Sequence, residues 1–413
     1  MCKEHTRMYT LLNQIAVILV LLCLQYSLSD PCPSPCWCLY NNTTVVCNLT
    51  GITEIPKGLP RNTIALLLRS NEISHIPKTA FDGLYQLSYI DMTRNKLQDN
   101  SIERGAFNLS SIDMIDLSAN LFTSIPQELP PKLLTLNFYN NPISTLKANS
   151  FVHAKSIQYL NMLANQIDTV QEHAFDPLIN VRVIDLSSNS LNDGSLRPKA
   201  FSKNMELNEL RLNYNQLQAI PDTSYLPSSL QKISIYGNKI TTIPSHAFKS
   251  LTNLTNLAIA QGTINSIEDN AFFGLDNLRF LDLTQGNLSG TITNSTFNGL
   301  VSLQGLSLDI NKVSKIDAGA LHPLKNLQEL GLSENKLMTI ESAVLDTTFI
   351  PKLSAVYIYG NPWTCDCHLR WLREKMDNAS YKVGSPSLTD CAGPPDVAGK
   401  TWTDLKPSDF VCK

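Results

Sequence analysis

An asparagine recurs along most of this chain at intervals of 21 to 26 residues, each time within the pattern L-x-x-L-x-L-x-x-N-x-L. It stands at Asn71, Asn95, Asn120, Asn141, Asn165, Asn189, Asn215 and Asn238, then at Asn311, Asn335 and Asn361. Two positions of the same series, Gly262 and Gly286, carry glycine instead. A chain of 413 residues would by length suggest two or three domains. A period near 24 overrides that expectation, because one such unit cannot bury its own apolar face and must stack on its neighbours. The expected fold is an α/β-type repeat solenoid of thirteen units, curved, with a parallel concave β-sheet and closed ends.

Each unit explains itself residue by residue. In LNELRLNYNQL, Leu207, Leu210, Leu212 and Leu217 point inward, and the short L-x-L segment alternates with the period of a strand. The asparagine turns the chain away from the strand, and its amide can bond the backbone of neighbouring coils. A phenylalanine recurs on the return arm, at Phe81, Phe107, Phe151, Phe175, Phe201, Phe248, Phe272 and Phe297, where a large ring fills the outer half of each coil. All of these are core residues and carry no chemistry.

The two ends bound the compartment. Lys3 and Arg7 precede the apolar run Ile15 to Leu24, and small residues at Ser27 and Ser29 suit a signal peptidase cutting before Asp30. Residues 1–29 are therefore read as a secretory signal; the apolar run is shorter than the ~20 residues a spanning helix needs. Eight cysteines then remain, as Cys32, Cys36, Cys38 and Cys47, and as Cys365, Cys367, Cys391 and Cys412. In an oxidising compartment this distribution reads as two disulfide-stapled modules, 30–60 and 362–413, flanking repeats 61–361. The zinc reading of Cys365, Cys367 and His368 gives way to disulfides in that setting. No apolar tail follows Cys412, so the expected chain is a released one, without membrane insertion. Sequons at Asn41, Asn42, Asn48, Asn108, Asn253, Asn287, Asn294 and Asn378 agree with a secreted glycoprotein. The formal charge of −3, or −4 once Lys3, Glu4 and Arg7 leave with the signal, includes no basic block for nucleic acid.

With the repeat and the cysteines in place, the chain resembles the extracellular leucine-rich repeat proteins, and among them the small leucine-rich proteoglycans. Cys32-x3-Cys36-x-Cys38-x8-Cys47 looks like their N-terminal cap, and NPWTCDCHLRWL from Asn361 with Cys391 and Cys412 looks like a four-cysteine C-terminal cap of the chondroadherin-like kind. The resemblance implies a horseshoe fold and the pairs Cys32–Cys38, Cys36–Cys47, Cys365–Cys391 and Cys367–Cys412. Short units such as IPKGLP and IPQELPPKL punctuate longer ones, as in the matrix proteoglycans. The chain departs from most of them in having that four-cysteine cap. It also lacks an acidic Ser-Gly tract; its one Ser-Gly pair is Ser289-Gly290. N-glycans are expected here, not glycosaminoglycan chains.

A partner would meet the residues that alternate with the buried leucines. The candidate strip is Tyr89, Asp91, Asp116, Asn137, Tyr139, Tyr159, Asn161, Asp185, Arg211 and Tyr236, where aromatics with polar tips accompany a row of carboxylates and amides. The stretch from Asn256 to Gly331, with Ala258, Ala260, Gly305 and Gly331 facing inward, reads as a bare segment, locally weaker or bent. The expected function is a matrix or pericellular protein that binds collagen or a cell-surface receptor. Alternatives on the same scaffold are a soluble innate-immune recognition protein or a receptor ectodomain. No nucleophile–base grouping, paired carboxylates in a cleft or phosphate loop suggests an enzyme. No metal or cofactor is expected.

Overall fold

The computed structural model describes residues 32–148, 150–378 and 381–412, so the signal read at residues 1–29 lies outside the described residues. The chain divides into two compact units. One comprises residues up to Pro142 with Val152–Ile157, and the other comprises Ile143–Phe151 and Gln158 onward. The repeat pattern gives no sign of this division.

In the first unit, Trp37–Leu39 pairs antiparallel with Thr44–Val46, which starts a parallel series through Ala65–Leu67, Tyr89–Asp91, Met114–Asp116 and Thr135–Asn137. In the second, Tyr159–Asn161, Val183–Asp185, Glu209–Arg211, Lys232–Ser234 and Asn256–Ala258 pair in parallel. Phe280–Asp282, Gly305–Ser307, Glu329–Gly331, Ala355–Tyr357 and Lys382–Gly384 continue the series. Both units are parallel-sheet solenoids built from the expected unit, one strand per repeat. Strands of three residues follow from the L-x-L spacing: the central residue is buried and its two neighbours point to the other face.

The return arms contain little helix. They are turns, short 3₁₀ segments such as Ser342–Leu345, and secondary two-stranded ladders such as Ser289–Ile292 with Lys312–Ile316. Among the described residues the α component is confined to Arg370–Asn378. The phenylalanines form a buried spine: Phe175 stacks between Phe151 at 5.8 Å and Phe201 at 5.0 Å, and Phe272 between Phe248 and Phe297. Burying each such ring contributes roughly 1.5–3 kcal/mol, which stacking of repeats supplies and a lone repeat cannot.

The asparagines tie each coil to the one before. Asn95 Nδ2 donates to Leu68 O and to Met92 O, both at 3.0 Å, while Oδ1 accepts from Ile73 N at 3.0 Å. Asn120, Asn189, Asn215, Asn238 and Asn311 repeat the arrangement. At Gly262 and Gly286 this bridge is missing. The strands nevertheless keep regular pairing through the segment expected to bend, so what is lost there is the side-chain rung and not the sheet.

Disulfides Cys32–Cys38 and Cys36–Cys47 lie near one end, and Cys365–Cys391 and Cys367–Cys412 near the other. The zinc alternative fails chemically: His368 Nδ1 sits 4.0 Å from Cys367 Sγ and 3.8 Å from Cys412 Sγ, but these sulfurs are bonded to each other and offer no thiolate. In the C-terminal module Trp363, Trp402 and Phe410 pack together. The buried Arg373, just past the LRWL motif, donates to Trp402 O and Leu405 O, and the motif's own Arg370 donates to Phe410 O, so both arginines hold backbone carbonyls.

Candidate binding surface

The sheet face of each unit is made by the first and third residues of the strands. In the first unit, register places Asp91 beside Asp116 and Asp116 beside Asn137, whose Nδ2 donates to Asp116 Oδ2 at 3.1 Å. Tyr89 heads its strand. Burial, and after it the carboxylates of Asp91 and Asp116, push its phenol up to about 12 against the opposing pull of Arg69. Tyr139 lies two residues past its strand and is 42% exposed.

In the second unit, Tyr159 heads its strand, and Asn161 lies beside Asp185, which lies beside Arg211. Arg211 Nε donates to Glu209 Oε1 at 2.6 Å, and Nη1 reaches Asp185 Oδ2 at 3.4 Å. Burial works against the charged guanidinium, but the hydrogen bond and charge of Glu209, with Asp185, outweigh it and raise its pKa. Tyr236 packs edge-on against Tyr214, with ring centroids 5.1 Å apart.

The acidic row has a structural duty that the sequence did not reveal. Oδ1 of Asp91, Asp116, Asn161, Asp185 and Asp282 each accepts the backbone N–H two residues on, at 2.8–3.0 Å, which ends the strand in a turn. Only the second carboxylate oxygen of each aspartate faces away from that turn, and in Asp185 it is already engaged by Arg211.

Several exposed residues escaped the sequence reading. Tyr214 sits in the loop after its strand, is 51% exposed, and donates its hydroxyl to Gln261 Oε1 at 2.7 Å. Phe280, 49% exposed, heads the strand Phe280–Asp282. Its place at the first strand position was the available signal. No sequon asparagine falls in the strands that form this face, and Asn48 stands two residues past its strand as Tyr139 does.

These features can be set beside known proteins. The family model described as Leucine rich repeat matches residues 61–122, 164–217, 228–288 and 285–337, more than half the chain. The chain belongs to the leucine-rich repeat family. Rat (Rattus norvegicus) osteomodulin is 30% identical over 55% of this chain and 48% of its own length. Podocan of Mus musculus is 28% identical over 80% of this chain and 49% of its own. Keratocan of Bos taurus is 25% identical over 87% and 88%. The chain thus spans about half the length of osteomodulin and podocan. These relatives are small leucine-rich proteoglycans of the extracellular matrix, and the chain shares their repeat architecture, with disulfides near both ends. Among solved structures, a chain of the octameric complex of Latrophilin 3, Unc5D and FLRT2 (LRR) matches with TM-score 0.62 at 22% identity, over 91% of this chain and 98% of that one. A glycosylated Toll–Spatzle complex of Drosophila matches with TM-score 0.63 at 22% identity, over 87% of this chain and 54% of that one. At such identities these two likenesses concern the fold alone.

The chain is therefore an extracellular leucine-rich repeat protein, of a family that binds proteins and is generally non-enzymatic. No helix among the described residues is long and apolar enough to cross a membrane.

Proposed function

We propose that this is a matrix or pericellular protein that holds an extracellular partner, a collagen or a cell-surface receptor, on the sheet faces of its two units. The observation that carries the reading is the contrast between faces. The strands present half-exposed tyrosines and polar residues and no sequon, while candidate glycan sites such as Asn108, Asn253 and Asn294 lie off the strands and are exposed. Aromatic side chains with polar tips give large contact area at low entropic cost, which suits protein recognition. The modules 30–60 and 362–413 are read as caps that cover the terminal repeats.

The test is co-sedimentation of the glycosylated chain with reconstituted collagen fibrils at physiological salt. Tyr139→Ala combined with Tyr159→Ala removes one sheet-face ring from each unit and should weaken binding about tenfold while leaving the fold intact. Saturable binding that the double substitution leaves untouched counts against this placement. No fibril binding at all moves the partner to the receptor class, to be sought by a cell-surface screen.

A further inference from the structure

We infer that the sheet face between Asn256 and Tyr357 is a second docking surface, shaped for an extended partner segment that turns both basic and apolar side chains toward the sheet. This rests on the reading of the sheet face as the protein-binding face. Phe280 stands at its centre. A Cβ on Gly305 would lie 3.0 Å from Phe280 Cδ1, so the glycine of the next strand is what lets the ring lie across the sheet. On either side of the ring is a depression. One, of about 210 Å³, runs back to Lys232 and Asn256; the other, of about 380 Å³, runs forward to Tyr357. Tyr357 in turn lies over Gly384, where a side chain would collide with its ring.

The larger depression has aromatic rings at both ends and three carboxylates, Asp282, Asp309 and Glu329, along its walls, with no lysine or arginine lining it. Asp309 is held across Gly331 by Ser307 Oγ, which donates to its Oδ2 at 2.6 Å, and by Ser333 N, which donates to its Oδ1 at 2.8 Å. None of the three carboxylates has an ion-pair partner among the described residues. The neighbouring stretch is different, because there Arg211 and Lys232 offset Asp185 and Glu209 within the face itself. Negative charge left uncompensated beside exposed aromatic rings is complementary to a cation, through Coulomb attraction and through the ring faces. The three strand spacings from Phe280 to Ala355 span about 14 Å, which about four residues of extended chain cover. Side chains two residues apart, which an extended segment turns to the same side, would reach the carboxylates and the Phe280 ring in turn.

The test uses the glycosylated full chain and a fluorescent, end-capped hexapeptide, Arg-Ser-Leu-Ser-Arg-Ser, whose arginines and leucine fall on one side when extended, read by anisotropy. Controls replace every arginine by glutamate, or the leucine by serine. Saturable binding of the arginine–leucine probe should weaken about tenfold with Phe280→Ala, with Asp309→Asn plus Glu329→Gln, and with either control peptide. Gly305→Ala, which only displaces the ring, should fall between, and Tyr159→Ala should leave probe binding unchanged. Far-UV circular dichroism identifies any variant that has lost the fold. The inference is overturned if the probe does not bind, or binds the Phe280→Ala variant as it binds the native chain. Fibril binding that depends on Tyr139 and Tyr159, with no probe binding, would sink this surface and leave the broader reading standing. Phe280-dependent probe binding without fibril binding would keep this surface and move the other partner from collagen to the receptor class.

Discussion

Two stretches of the second unit's sheet face, Val183 to Tyr236 and Asn256 to Tyr357, have the same backbone and opposite chemistry. In the first, Asp185, Glu209, Arg211 and Lys232 cross-link within the plane and largely neutralise one another. In the second, Gly305 and Gly331 leave room for Phe280 and Asp309 to lie down across neighbouring strands, and its carboxylates have no ion-pair partner among the described residues. Strand register decides which residues face out. The size of the residue on the next strand decides whether they stand upright or lie flat, and so whether the face is a row of groups or a pair of hollows. The same contrast runs through the edge of the sheet, where Asn189, Asn215 and Asn238 bridge coils and Gly262 and Gly286 do not.

The sharpest break of this comparison sets a core ring against a surface ring. Phe175→Ala, in the buried spine, should cost about 3–5 kcal/mol by denaturant unfolding. Phe280→Ala, on the exposed face, should change stability by no more than about 0.5 kcal/mol. Similar losses at both sites would mean that Phe280 is structural and the hollows incidental. Next in size is Asn189→Ala, which strands the N–H of Ile167 and takes one of two amide donors from the carbonyls of Met162 and Leu186, which keep Asn165 and Asn215; about 1–3 kcal/mol should be lost.

Restoring an empty rung should act in the other direction and by less. Gly262→Asn meets only ordinary contacts and should gain about 0.5–1 kcal/mol, part of it from a less flexible unfolded chain. Gly286→Asn should be destabilising instead, since a Cβ there would lie 2.7 Å from Asn311 Oδ1. Hydrogen exchange offers an independent reading. The amides of Ile240 and Ile264, which lack an asparagine acceptor from the next coil, should exchange faster than those of Ile167 and Leu191, which have one.

The smallest effect belongs to Tyr89. Its folded pKa, raised to about 12, lies above its unfolded value near 10, so the folded state holds the proton longer. Its contribution is fully present below pH ~10 and is lost as pH rises from there toward ~12. Tyr89→Phe should flatten that decline in denaturant midpoints taken across the window, and a decline of equal slope in the variant would remove Tyr89 as its source.

Much of the fold could be read from the chain because a repeat states its own geometry many times over. The L-x-L segments fixed the strands, the asparagines the rungs, and the phenylalanines the outer core, each by a local rule that recurs every turn. The candidate strip was legible only in part. Alternation with the buried leucines correctly put Tyr89, Asp91, Asp116, Asn161, Asp185 and Arg211 on the sheet face. It did not say that the aspartates spend one oxygen closing the turn after their strand, because that bond depends on backbone direction beyond the strand's end. It read Ala258, Ala260, Gly305 and Gly331 as a bare face and did not say that Phe280 and Asp309 lie over Gly305 and Gly331, since glycine in a strand reads as an absence until the side chain that occupies its space is known.

Sequence by itself determined the period, the parallel stacking, the identity of the core and the location of the cysteines, all of which follow from spacing along one dimension. The tertiary structure alone decided which charges meet, which aromatic rings lie flat and where the hollows open. Those depend on residues 24 or so apart coming within about 5 Å across neighbouring strands, and on the small side chains that let them approach.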